Sequence, residues 1–164
     1  MAKVKRPHRS DISIFDEKDA YFFYENILLV CESDKKSYGD EKILTDAAKK
    51  VNASIPFDFV CKNYEVEMQT PKDNVFYFSA EAMKQGSSRN SHIVKKWYKH
   101  LRNAFAHNYI RLENGAYVME DYYDEETQTN SNHKKIKTQK VLYARILSLE
   151  DFKSLINEVK PNIK

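Results

Sequence analysis

Hydrophobic residues recur at three- and four-residue spacing over much of the chain, and this spacing predicts amphipathic helices. The clearest run starts after Ser91, a helix-capping residue, and has Ile93, Trp97, Leu101 and Phe105 at four-residue steps. Further helices are predicted over residues 17–36, 41–52 and 148–160. Segment 75–85 begins with strand-like aromatic residues and continues with helix-forming ones, and we favour a helix there.

After Tyr109 the hydrophobic spacing changes from about 3.6 residues to two. Residues 110–118 alternate around Asn114-Gly115, a pair typical of a tight turn, and predict a β-hairpin. Segment 124–135 has no apolar residue and is predicted to be a solvated loop, whereas 136–147 alternates again and predicts a third strand. Residues 53–74 leave the alternatives of a short helix, a buried loop or a short strand open.

These elements predict one mainly α domain, a helical bundle with a small antiparallel sheet inserted at 109–147 and a closing helix at 148–160. A length of 164 residues suits one domain, and few glycines and prolines (three and four) favour helix. The basic residues of segment 1–16 suggest either a frayed terminus or an RNA-contacting arm.

Charge and cysteine content narrow the function classes only slightly. The net charge of +3 permits nucleic-acid binding without requiring it. Cys31 and Cys61 have neither metal-ligand nor disulfide-framework spacing, which favours reduced thiols and a cytoplasmic protein. No apolar run approaches the roughly 20 residues of a membrane span.

The strongest candidate site lies at the end of the best-patterned helix, in Arg102-Asn103-Ala104-Phe105-Ala106-His107. Asn103 and His107 are four residues apart and share a helix face, and the long Arg102 side chain can bend towards them. A guanidinium beside an imidazole suits a phosphate, because Arg offers a planar fork of donors and His can move a proton near neutral pH.

This arrangement resembles the HEPN superfamily of small helical-bundle proteins, whose motif is an Arg, four to six residues and a His, often with a polar residue after the Arg. The His107-Asn108-Tyr109 ending resembles a His-x-Tyr variant of HEPN toxins that are paired with nucleotidyltransferase antitoxins. The motif match covers about a tenth of the chain.

The resemblance implies a metal-independent endoribonuclease without a cofactor, a toxin or phage-defence component, in which two copies dimerise through their motif helices. Arg102 and His107 are then catalytic, with Asn103 in support. The resemblance also makes weak candidates for RNA contacts, which we call the RNA track, of Lys95, Lys96 and Lys99. It makes Tyr109 a candidate for nucleotidylation by an antitoxin.

Other interpretations of the same residues stay open. A structural role for Arg102 and His107 at a helix C-terminus, where cations are favoured, is an alternative to the catalytic one. His100 and His107 lie on one face, but no third metal ligand is near, so we expect no metal site. The lysines suit a solvated face and Tyr109 the start of a strand. A non-catalytic module of the same family that binds RNA or protein is the alternative function.

Overall fold

A five-stranded mixed sheet, rather than a helical bundle, organises the part of the chain that the structure describes. The computed structural model describes residues 14–29, 41–62, 72–79, 97–128 and 133–159. The described helices and strands are, in chain order, α1 (Glu17–Phe23, continued by a π-helical turn at Tyr24–Leu28), α2 (Glu41–Lys50), β1 (Asp58–Lys62), β2 (Val75–Ser79), α3 (Trp97–Ala106), β3 (Ile110–Glu113), β4 (Ala116–Gln128), β5 (Lys134–Ile146) and α4 (Leu149–Val159).

The predicted mainly α fold is therefore wrong, and the chain has a mixed α and β architecture. The strand order is β1-β2-β5-β4-β3, with β1 and β2 parallel and every other pair antiparallel. Two of the strands precede the motif helix α3, so the sheet is not a small insertion confined to residues 109–147.

The helix predicted at 75–85 is wrong where the structure describes it, because Val75–Ser79 is the strand β2. All five of its residues are buried. A strand that is covered on both faces has no polar alternation, so its pattern cannot be distinguished from that of a buried helix. Strand β1 falls in the segment for which the sequence left the alternatives open.

The predicted β3–β4 hairpin is confirmed. Asn114 and Gly115 both have positive φ, at 50° and 77°, as a type I′ turn requires. The predicted loop at 124–135 is wrong at both of its ends, because β4 continues to Gln128 and β5 begins at Lys134. The backbone register pairs Glu125, inside the predicted loop, with Lys137.

One face of the sheet carries the main core. Phe76, Met119 and Leu142 lie on it, and the four helices cover it with buried side chains, among them those of Phe23, Ile27, Leu44, Ala47, Tyr98, Leu101, Ala104, Phe152, Leu155, Ile156 and Val159. The predicted closing helix is confirmed as α4, with Ser148 Oγ accepting a hydrogen bond from the Asp151 amide at its start. The opposite face carries a smaller cluster of Val75, Tyr77, Val118 and Tyr143.

A buried hydrogen bond links the motif helix to the π-helical turn that continues α1. The Tyr98 hydroxyl donates to the backbone oxygen of Asn26 at 2.7 Å, within the π-helical turn. The Asn26 side chain in turn donates to the Phe22 carbonyl. The helix predicted over 17–36 is confirmed as far as the structure describes it, and its remainder lies outside the described residues.

In the described ranges, every helix is too short or too polar to cross a membrane.

Candidate functional site

The motif helix α3 ends in a Schellman motif, which explains the residues that follow it. The Tyr109 amide donates to the Ala104 carbonyl at 2.9 Å, and the Asn108 amide donates to the Phe105 carbonyl at 3.2 Å. Asn108 has a φ of 53°, a left-handed conformation that Asn adopts more readily than most residues. His107 is thus the C-cap residue, and its side chain is exposed at the end of the helix.

A buried carboxylate organises the polar face of α3. Asp121, on β4, accepts hydrogen bonds on one oxygen from His100 Nδ1 at 2.7 Å and from Asn103 Nδ2 at 3.2 Å. The Asp121 side chain is 4% exposed and that of His100 is 17% exposed. Because an ionised carboxylate only accepts, the hydrogen of this bond lies on His100 Nδ1.

His100, Asn103 and His107 therefore share one helix face, as the three- and seven-residue spacings require. The sequence predicted Asn103 and His107 as site residues and considered His100 only as a metal ligand. The structure places Asp121 against His100 and Asn103. Asp121 could not be found from the sequence, because 18 residues and a hairpin separate it from Asn103 and no local pattern joins them.

The backbone position of Arg102 lies on another side of α3. Five residues separate it from His107, which on a helix is a rotation of about 140° between the two side-chain directions. Its Nε atom is buried, and within the described segments it has no hydrogen-bond partner. The spacing on α3 therefore does not by itself bring the two predicted catalytic side chains together.

Tyr109 is buried, with 5% of its surface exposed. Its ring centroid lies 5.6 Å from that of His107 and 5.3 Å from that of Tyr122, which it meets edge-on. Nucleotidylation of its hydroxyl would require the ring to leave this packing. The residue lies next to the site, but its position explains it equally well as a structural residue at the start of β3.

The predicted RNA track is only partly described. Lys99 is half-buried on α3, one residue before His100. Lys95 and Lys96 lie outside the described residues. The side chains of both cysteines, on which the expectation of reduced thiols rested, also lie outside them.

A second polar cluster occupies the opposite face of the sheet around Glu120. Its carboxylate is 2% exposed and accepts hydrogen bonds from both terminal nitrogens of Arg111 and from Lys140 Nζ, at 2.8 to 3.3 Å, and from the Tyr122 hydroxyl. Lys140 also lies over the rings of Tyr122 and Tyr143. No sequence motif pointed to this cluster.

The pKa shifts in this cluster describe an ionised carboxylate held by its donors. Burial alone would raise the pKa of Glu120, but the hydrogen bond from Arg111, the charge and hydrogen bond of Lys140 and the hydrogen bond from Tyr122 together lower it. Burial and the hydrogen bond to Glu120 raise the pKa of Tyr122. Because the buried carboxylate accepts hydrogen bonds from all three of these side chains, we interpret the cluster as a structural element.

Within the described ranges, no group of three or more His, Cys, Asp and Glu side chains is arranged to hold a metal ion. Comparison of the chain with protein families, with curated proteins and with solved structures gave no match. The geometry of α3 and the motif that it carries are the features of the chain that point to a function.

Proposed function

We propose that the chain is a metal-independent endoribonuclease whose reaction takes place at the C-terminal end of α3. The observation that carries this proposal is the buried Nε of Arg102, which lacks an acceptor among the described residues. A buried guanidinium donor without a partner is unfavourable, and a phosphate oxygen would satisfy it with a charge-assisted hydrogen bond. The exposed imidazole of His107 follows on the same helix.

The chemistry uses the substrate's own nucleophile. His107 takes the proton from the 2′-hydroxyl of RNA as its oxygen attacks the neighbouring phosphorus. Arg102 stabilises the negative charge that gathers on the phosphorane, and the 5′ oxygen departs. The products are a 2′,3′-cyclic phosphate and a 5′-hydroxyl. Asn103 has a supporting role, since its amide already donates to Asp121.

A second copy of the chain is part of the proposal. Because Arg102 and His107 leave α3 about 140° apart, one helix alone directs them to different sides. Two α3 helices facing each other would let Arg102 of one copy serve the same phosphate as His107 of the other. This is also the arrangement that the resemblance to HEPN proteins implies. The helical-bundle fold of that superfamily is not part of the proposal, which keeps only the motif.

The cellular role follows the same resemblance: a cytoplasmic toxin or phage-defence component, with a nucleotidyltransferase-type antitoxin as candidate partner. Lys99, on α3, is available as an RNA contact beside the site.

The test is RNA cleavage by the purified protein in excess EDTA, followed by analysis of the product ends. We expect 2′,3′-cyclic phosphate and 5′-hydroxyl ends from the wild type. His107→Ala should lose at least about a hundredfold in rate, the low end for an acid–base group. His133→Ala, at an exposed histidine where β5 begins, is the matched control and should cleave normally. Equal rates for His107→Ala and wild type would contradict the proposal.

The second candidate function is a non-catalytic module that binds RNA or a protein. One observation favours it: Asn103 is engaged by Asp121 and His107 caps the helix, so both have structural reasons to be there. This alternative predicts that the wild type retains RNA without producing new ends. A filter-binding measurement beside the cleavage assay separates the two functions.

A further inference from the structure

The hydrogen bond between Asp121 and His100 gives α3 a second imidazole with a fixed orientation. His100 donates through Nδ1 to a carboxylate that is itself 4% exposed. In the described part of the chain, Asp121 is the only hydrogen-bond partner of this ring. Proton exchange by His100 therefore takes place at Nε2, because Nδ1 is occupied by the carboxylate.

In acid–base catalysis, a buried carboxylate that accepts a hydrogen bond from one ring nitrogen of a histidine fixes the tautomer and the orientation of the ring. The proposed function assigns no group to the second proton transfer. Cleavage of RNA needs one proton taken from the 2′-hydroxyl and one given to the departing 5′ oxygen. His107 accounts only for the removal of the proton from the 2′-hydroxyl.

The positions of the two histidines suit this division. His100 and His107 are seven residues apart on one face, which is about 10.5 Å along the axis at 1.5 Å per residue. The attacking and departing oxygens lie on opposite sides of the phosphorus in an in-line displacement. A phosphate located between the two imidazoles, above Asn103, could thus present one oxygen to each ring.

We propose that His100 is the general acid of the reaction and that Asp121 is its positioning residue, an inference that rests on the ribonuclease activity proposed above. The 2′ oxygen forms its bond to phosphorus as the bond from phosphorus to the 5′ oxygen breaks. His107 takes the 2′ proton, and Nε2 of the protonated His100 gives its proton to the 5′ oxygen. Exchange of one proton with water at each ring restores both histidines.

The test compares two versions of one short RNA that the wild type cuts, with oxygen or with sulfur at the bridging 5′ position of the cut. A thiolate leaves without a proton, so the sulfur substrate does not need a general acid. The key variant is His100→Asn, whose amide can still donate to Asp121 but cannot transfer a proton at Nε2. His133→Asn is the matched control. His133 lies nine residues before Leu142, which is paired with Asp121, so it is about 30 Å away from that pair along β5.

We expect His100→Asn to cut the oxygen substrate at least about a hundredfold more slowly than the wild type and the sulfur substrate within about tenfold of it. Asp121→Asn should show the same pattern to a smaller degree, which a merely structural role would not produce. His107→Ala should stay slow on both substrates, because the proton of the 2′-hydroxyl must be removed whichever atom departs. Melting temperatures of all variants control for folding.

Equal losses of His100→Asn on both substrates would overturn the assignment of His100 as general acid, and so would full activity on both. In either case the wild type still cuts RNA, so the ribonuclease proposal survives. If the wild type cuts neither substrate, both proposals fail.

Discussion

Replacing Glu120 with Gln tests whether the buried cluster on the second face of the sheet holds β3, β4 and β5 together. The carboxylate receives four hydrogen bonds from Arg111, Lys140 and Tyr122. The amide of Gln keeps one acceptor oxygen but removes the negative charge and directs N–H groups at two cations. Removing one partner of a buried ion pair costs about 3–5 kcal/mol.

The exposure of Arg111 places the expected loss at the lower end of that range. Arg111 is 40% exposed and keeps its hydrogen bond to Glu113, so part of its charge can turn to water. We expect Glu120→Gln to lower the free energy of unfolding by about 3 kcal/mol. At about 2–4 °C per kcal/mol, this is a fall of roughly 6–12 °C in melting temperature for a chain of this size.

The assay is urea unfolding at pH 7 followed by circular dichroism, with Glu113→Gln as the control. Glu113 is 43% exposed and accepts one hydrogen bond from Arg111, so its loss should cost under about 1 kcal/mol. A change of less than about 1 kcal/mol for Glu120→Gln would refute the reasoning, because the cluster would then contribute no more than a surface ion pair.

The difference in stability between the wild type and Glu120→Gln is predicted to depend on pH. The cluster lowers the pKa of Glu120 in the folded state. Its contribution is therefore complete above the ordinary glutamate value of about 4.3 and is lost as the pH falls through the lower folded-state pKa. The stability difference between wild type and Glu120→Gln should shrink on acidification below about pH 4.3. A constant difference down to pH 2 would contradict this assignment.

Three further variants test the helices that support the site. Asn108→Ala should cost about 1 kcal/mol in urea unfolding because of its positive φ, whereas Asn108→Gly should cost almost nothing. Tyr98→Phe removes the hydrogen bond to the π-helical turn and should cost about 1 kcal/mol. Phe152→Ala, at a fully buried position of α4, should cost about 3–5 kcal/mol. Equal stabilities of the two Asn108 variants, or losses under half of these values for Tyr98 and Phe152, would contradict the packing described.

The sequence predicted those elements whose signal is local. The Asn114-Gly115 turn and the four-residue spacing that includes Leu101 and Phe105 depend on residues near one another, and both were confirmed. Strand β2 was missed because a strand buried on both faces has no alternation. The outer ends of β4 and β5 were missed because residues 124–135 contain no apolar residue and so have no hydrophobic alternation.

The candidate site divides in the same way. The motif gave Arg102, Asn103 and His107, which lie within six residues. It could not give Asp121, whose contact with His100 depends on how β4 packs against α3. The spacing also puts the Cα atoms of Arg102 and His107 about 140° apart around α3, but it does not give the path of the long Arg102 side chain.

The most direct test of the central claim is the single-turnover rate of RNA cleavage in EDTA for wild type, His107→Ala and His133→Ala. The account predicts cyclic phosphate ends from the wild type, a loss of at least about a hundredfold for His107→Ala and none for His133→Ala. Cleavage by His107→Ala at the wild-type rate would contradict the claim that the end of α3 is the reactive site.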